Sequence, residues 1–420
     1  MKLTRKGLAR VVITGMGALT PLGKLENLWE NLKAGISGIR RIRAFDPSHL
    51  TVKVAGEVLD FDPLVYLDYK EARRMARSSQ FAVATTKMAL EDAGLTEEDL
   101  QNESERIGVS VGTSLGGYEI LAESTYAWLA SGKKTRVNPF SLVSGLPNMP
   151  AHYVSRYAHA TGPINALSTA CATGTQSIGD GTDMIRLGRA DVMLVGGVES
   201  VITDYAITGF NAMTVLAQGF EDHPSEASRP FDAERRGFVY SEGCAILVLE
   251  SLEHALKRGA RIYAEVLGHA TSSDAAHIAA LDTEAKGAIR AMKWALDDAE
   301  VNPEDIDYIN AHGTGTVPND AIETKAIKKL FNYHAYKLAV NSTKSMLGHC
   351  MGASGAIEAV VSVRSLVSNI MHPTINYRHP DPNCDLDYVP NEARDKKLKR
   401  VLSNSFGLGG QNACLVLGNL

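Results

Sequence analysis

Residues 167–174 read Leu-Ser-Thr-Ala-Cys-Ala-Thr-Gly, a cysteine set among small side chains. The run Ile164–Leu167 before it is mostly apolar, and 172–187 are compatible with a helix. Cys171 therefore falls at a strand-to-helix elbow. There the free N–H groups and partial positive charge of a helix N-terminus stabilise a thiolate and lower the thiol pKa. The competing use of a free cysteine is as a small buried hydrophobe. Two histidines weigh against that use. His312 lies in Ile-Asn-Ala-His-Gly-Thr-Gly-Thr-Val (309–317), after a strand pattern. His349 ends Asn-Ser-Thr-Lys-Ser-Met-Leu-Gly-His (341–349), after the apolar run Leu338–Val340, with Lys344 close by. Loops at the carboxyl ends of strands are where α/β proteins build sites.

Metal binding is the other use of such side chains. His312 and His349 are far apart in sequence and show no His-x-x-x-His or Glu-x-x-His spacing, so no catalytic metal is expected. Asp320, Glu323 and Glu358 could ligate, but could equally orient the imidazoles or pair with Lys344. Residues 403–412, Ser-Asn-Ser-Phe-Gly-Leu-Gly-Gly-Gln-Asn, form a Gly-rich turn able to point backbone N–H groups inward, as an oxyanion hole requires. One thiol, two imidazoles, one ammonium and a donor loop suit acyl transfer followed by carbon–carbon bond formation. The thiolate holds the acyl group, and neutral imidazoles donate N–H to an enolate oxygen. A cysteine protease would need neither the second histidine nor the lysine.

Short apolar runs alternating with amphipathic segments position these residues, the pattern of an α/β protein. Strands are expected at Arg10–Thr14, ending in the turn Gly15-Met16-Gly17, and at Ile107–Gly112, Asp191–Val195 and Cys244–Glu250. A second set follows: strands at Arg261–Gly268, Ile306–Asn310 and Ala413–Leu417, with helices at Thr283–Ala299 and His349–Ser368. The first set holds a helix over residues 71–93. The echo suggests two related halves joined near residues 250–260. Residues 218–236 have few apolar side chains and read as a surface excursion.

Bulk composition sets limits. The chain has 420 residues, 45% of them hydrophobic, and a net charge of −5, which disfavours nucleic-acid binding through global positive charge. Five scattered cysteines, with no Cys-x-x-Cys pair, argue against a disulfide framework and for a reducing, cytoplasmic compartment. No apolar stretch approaches the roughly 18 residues that suggest a membrane span. The N-terminus runs directly into a strand pattern without a signal-type apolar region.

Taken in order, TACATG around Cys171, NAHGTGT around His312, STKSMLGH ending at His349 and NSFGLGG around Phe406 resemble the β-ketoacyl-[acyl-carrier-protein] synthases. The flanks look most like the elongating type II enzymes, and the likeness runs from RVVITGMGALTPLG to the last strand. This resemblance implies the thiolase fold, two duplicated halves (1–255 and 256–420) in five αβαβα layers, assembled as a homodimer. It implies that Cys171 takes a saturated acyl chain from acyl carrier protein, with no cofactor. His312 and His349 would hold the malonyl thioester as CO₂ leaves, and Lys344, with Glu358, would orient His349. Backbone N–H groups of Cys171 and Phe406 would form the oxyanion hole, Phe406 would gate the site, and Thr314 and Thr316 would contact the phosphopantetheine arm. The acyl path would pass Leu115, Ser141, Val201 and Phe210, with Ser141 where an aromatic is common. Arg73, Arg74 and Arg136 match parts of a basic carrier-protein patch, while Thr214 stands where an arginine is expected. A free-standing polyketide ketosynthase and a non-catalytic chain-length partner subunit are the alternatives, and the nucleophile speaks against the second.

Overall fold

The computed structural model describes Leu3 and residues 6–134 and 137–420. Ten strands build the main sheet: β1 (Val11–Thr20), β2 (Ile107–Gly112), β3 (Ile164–Asn165), β4 (Val192–Glu199), β5 (Gly243–Ser251), β6 (Ala264–Ser273), β7 (Tyr308–Asn310), β8 (Ala339–Asn341), β9 (Arg400–Gly407) and β10 (Gln411–Gly418). Their order is β8-β7-β9-β10-β6-β1-β5-β4-β2-β3, with a short strand, Gly23–Lys24, hung on β1. Read outward from the β6–β1 seam, each side carries the same pattern: two antiparallel neighbours, then two parallel ones. One side comes from residues 11–251 and the other from 264–418.

Among the helices are α1 (Arg77–Ala93), α2 (Tyr118–Ala130), α3 (Met149–Tyr157), α4 (Thr173–Arg186), α5 (Asp204–Ala212), α6 (Lys286–Ala299), α7 (Val317–Phe331) and α8 (Ser354–Ser368). Helices α1 and α3 pack on the first half-sheet, and α6 packs on the second beside α7. Helices α4 and α8 pack on each other and on strands of both half-sheets, so they form the central layer. The result is the five-layer thiolase arrangement. The two central helices also begin alike. Each is entered through a tight turn, Ala170–Ala172 or Met351–Ala353, whose first residue has positive φ (50° and 45°).

Several sequence expectations need correction here. The strand expected to stop at Thr14 continues through Gly15 and Gly17 to Thr20, with a bulge between Ile13 and Gly15. These glycines are not a turn: a Cβ at Gly15 would lie 2.4 Å from the Ala89 carbonyl oxygen, and one at Gly17 2.3 Å from that of Thr85. They let α1 lie flat on the strand. The helix expected over 71–93 is divided into Tyr69–Ala72 and Arg77–Ala93. Residues 218–236 are not a surface excursion, because Ala227, Arg229, Phe231, Asp232 and Arg235 are buried. Few of them are apolar, since the segment is held by polar pairing. Arg235 donates to Asp381 (2.6 Å), Phe231 N–H donates to Asp320 (2.7 Å), and the Phe231 ring stacks on Tyr388 at 4.0 Å.

Candidate active site

Cys171 sits in the turn that opens α4, and the strained positive φ of Ala170 before it costs about 1 kcal/mol. Cys171 is 4% exposed. The loop joining β9 to β10 lies against it: a Cβ at Gly407 would come 3.3 Å from the Cys171 nitrogen, and the Leu408 N–H is directed at the sulfur. The expected lowering of the thiol pKa is corrected. Burial pushes it up to about 11, against the opposing pull of the Leu408 N–H and the charge of Lys344. The resting group is a thiol, because the elbow is dry.

His312 follows β7 and His349 follows the turn after β8, and their rings meet edge to face at 5.4 Å. Cys171 Sγ and one nitrogen of each ring all lie within 4.8 Å of one another. His349 Nδ1 accepts the Met351 N–H at 3.1 Å and lies 2.9 Å from the Ser354 hydroxyl, so its proton belongs on Nε2. Lys344 Nζ is 3.4 Å from His312 Nδ1, and an ammonium only donates, so His312 likewise carries Nε2–H. Burial and the nearby ammonium hold both imidazoles well below their ordinary pKa. Their folded pKa values being depressed, both rings stay neutral as pH falls through 6.5. Neither ring should therefore titrate between pH 8 and about 6 in imidazole NMR spectra; a midpoint near 6.5 for either would contradict this geometry.

Lys344 departs from the expected partner. Its direct imidazole contact is to His312, and Glu358 accepts from Nζ at 2.5 Å, with both side chains buried. Burial raises Glu358 to about 7 although Lys344 pulls the other way. Asp320 and Glu323 touch neither ring nor Lys344. Glu323 accepts the N–H groups of His312 (2.9 Å) and Gly313 (2.8 Å), and Asp320 accepts that of Gly315 (3.2 Å). They fix the backbone of the loop that carries His312, Thr314 and Thr316.

A cavity of about 540 Å³ opens from Cys171 and both histidines, lined also by Thr314, Thr316, Phe406 and Thr214. Phe406 stands 5.9 Å from the His312 ring. None of Leu115, Ser141, Val201 and Phe210 lines this cavity. Phe210 packs against the cluster that contains Cys171, and Val201 is buried. Leu115 gives its N–H to Glu199, and the Ser141 hydroxyl donates to the Asn138 carbonyl. Arg73 and Arg74 are exposed, their guanidinium groups over the rings of Tyr69 and Phe140, and Arg136 lies outside the described residues.

Sequence reasoning missed three contributors. Phe238 lies 5.2 Å from the His349 ring, and Leu408 reaches the thiol. Buried Glu199 accepts N–H groups of Ser114 (2.9 Å), Leu115 (3.2 Å) and Gly352 (3.2 Å) and the Thr113 hydroxyl (3.0 Å), tying the loops behind Cys171 together. The one signal for Glu199 was an acidic residue ending an otherwise apolar strand pattern.

The Cys171–His312–His349 triangle is also a donor set for a soft divalent ion, something that linear spacing concealed. Micromolar Zn²⁺ is expected to block the thiol from alkylation by iodoacetamide, with recovery on adding a chelator. Unchanged alkylation in Zn²⁺ would show that the three donors cannot converge.

A buried thiol at a helix start, faced by two neutral imidazoles that donate N–H, defines an acyl-transfer site of the condensing type. Comparison with known proteins agrees. Residues 8–255 match the Beta-ketoacyl synthase, N-terminal domain, and 263–378 match the Beta-ketoacyl synthase, C-terminal domain. The chain belongs to the β-ketoacyl synthase family. It is 46% identical to a 3-oxoacyl-[acyl-carrier-protein] synthase 2 of Coxiella burnetii, over 98% of this chain and 99% of the relative. Among solved structures, the ishigamide ketosynthase/chain length factor superposes with a TM-score of 0.92 at 38% identity, covering 98% of this chain and 100% of that one. A chain from a type II PKS acyl-carrier protein in complex with its ketosynthase bound to the hexaketide gives 0.91 at 33%, covering 98% and 100%.

Proposed function

We propose that this protein condenses an acyl chain held on Cys171 with malonyl-acyl carrier protein, giving 3-oxoacyl-acyl carrier protein and CO₂ in fatty-acid elongation. The observation that carries the reading is the convergence of Cys171 Sγ with the two imidazoles at the end of one cavity. The Cys171 sulfur attacks the acyl thioester, and its proton leaves with the pantetheine thiol. As the tetrahedral oxyanion forms, the backbone N–H groups of Cys171 and Leu408 receive it, and the start of α4 favours the negative charge. Leu408 takes the place expected of Phe406, two residues before it, because its N–H is the one directed at the sulfur. Malonyl-carrier protein then threads its arm past Thr314 and Thr316. The Nε2–H groups of His312 and His349 hold its thioester oxygen while the C–C bond to the carboxylate breaks and CO₂ departs. The enolate carbon attacks the acyl-Cys171 carbonyl, the C–S bond breaks, and the 3-oxoacyl chain leaves on the carrier. Neutral imidazoles suit this role, because the step needs donors that do not hand over a proton.

The halves 1–255 and 256–420 supply the nucleophile and the histidines respectively. The protein works in the cytoplasm as a homodimer. Exposed Tyr126, Leu142 and Tyr205 and the free edge of β3 supply an apolar surface for a second copy. Arg73, Arg74 and Arg136 meet the acidic carrier protein.

Mixing the protein with acyl-carrier protein and then malonyl-carrier protein should give one acyl adduct by intact mass, discharged with release of 3-oxoacyl product. An adduct that malonyl-carrier protein fails to discharge would overturn the reading.

A further inference from the structure

Behind the nucleophile, residues Phe238, Tyr240 and Glu242 alternate along one extended stretch, so their side chains share a face. Phe238 lines the cavity that holds Cys171. Glu242 lines a second pocket of about 400 Å³, walled also by Glu57, Arg77, Glu119, Ser200 and Thr203. Tyr240 stands between the two. Its ring packs at 5.3 Å on Phe210, in the same side-chain cluster as Cys171, Ile202 and Met351. Ile202 also lines the second pocket, so this cluster is the partition between pocket and nucleophile.

The partition is polar in an unexpected place. Tyr240 is fully buried, and its hydroxyl has no hydrogen-bond partner. A buried unpaired hydroxyl is costly and uncommon, and phenylalanine would fill the same volume without that cost. A second orphan lies further on. Glu119 accepts the Arg77 N–H at 3.2 Å through Oε1, while its buried Oε2 has no partner. Tyr240 lies in the partition with Cys171, and Glu119 lies in the wall of the pocket beyond it, so a line from the sulfur through the partition into that pocket passes from one orphan to the other. A plain hydrocarbon chain laid along that line would leave both unpaired.

We propose that Tyr240 is a specificity-determining residue: its hydroxyl bonds to an oxygen function, hydroxyl or keto, on the acyl chain carried by Cys171. The polar pocket beyond, with Glu119 in its wall, receives the distal end of that chain. This rests on the condensing reading above and deepens it, replacing an unspecified acyl chain with an oxygenated one.

The test measures Cys171 acylation rates by intact mass, using octanoyl-carrier protein and the same chain bearing one hydroxyl or keto oxygen at successive carbons. At least one oxygenated isomer is expected to react about tenfold faster than octanoyl, the effect of one hydrogen bond to a buried group. In Tyr240→Phe the ratio should fall towards one. The Tm of Tyr240→Phe should hold or rise, because the lost hydroxyl had no partner; a hydroxyl with a structural role would lower it. Glu119→Gln should change the ratio only for isomers oxygenated near the chain end. Equal rates for all chains in the native protein, or the same ratio in Tyr240→Phe, would overturn the proposal while leaving the condensing reading intact. Failure of every chain to form an adduct would overturn both.

Discussion

Cys171→Ala forms no acyl adduct with any acyl-carrier protein and loses condensation by a factor on the order of 10⁴ or more. The expectation follows from the site's construction rather than from the presence of a thiol. Four other cysteines, Cys244, Cys350, Cys384 and Cys414, are free and buried. Burial pushes the thiols of Cys244, Cys350 and Cys384 up to about 12. Cys171 is the one that opens onto the 540 Å³ cavity, beside two imidazoles and the Leu408 N–H. Alanine removes a small side chain from a turn whose geometry is fixed by its neighbours, so the variant should fold. Thr173 Oγ1 accepts the Thr169 N–H at 2.8 Å and donates to the Ala170 carbonyl at 2.7 Å, holding the elbow without the sulfur. Unchanged circular dichroism with no adduct is the expected pair of results. An adduct persisting in Cys171→Ala would place the nucleophile elsewhere and remove the basis of the reading.

What the sequence made legible was local. Cys171, His312 and His349 announce themselves because each stands in a stretch whose neighbours must be small or glycine for backbone to approach, and that need is written within a few residues. The strands Ile107–Gly112 and Gly243–Ser251 were legible for the same reason, as apolar runs bounded by turns. Contacts between distant segments were not. Nothing near Lys344 says that its ammonium turns to His312 rather than to His349 five residues away, since the choice depends on how β7 and β8 pair. Asp320 and Glu323 illustrate the same limit: carboxylates about one and two turns into α7 face backbone N–H groups, a fact set by the loop's path over the helix. The thiol's pKa went in the wrong direction because the helix N-terminus is a local feature, whereas dryness is produced by the whole fold.

Lys344→Ala should cost both stability and rate, and the two losses should separate with pH. Lys344 and Glu358 are each about 2% exposed and paired at 2.5 Å. Removing one partner strands a buried charge, at a cost of about 3–5 kcal/mol. Burial already raises Glu358 to about 7 with the ammonium present, and without it the carboxyl is raised further. A carboxyl raised in the folded state takes up a proton there before it does in the unfolded chain, so the variant gains relative stability as pH falls. The loss measured by urea unfolding should be largest near pH 8 and shrink at about pH 6. In Lys344→Ala combined with Glu358→Gln no charge is left to strand, so much of the stability should return at both pH values. Activity should not return with it. The ammonium contact to His312 Nδ1 is what directs the ring's proton to Nε2, and loss of that orientation is expected to slow malonyl decarboxylation about 10²-fold. A double variant that recovers rate along with stability would show that Lys344 serves only to neutralise Glu358, and that His312 needs no partner to face its substrate.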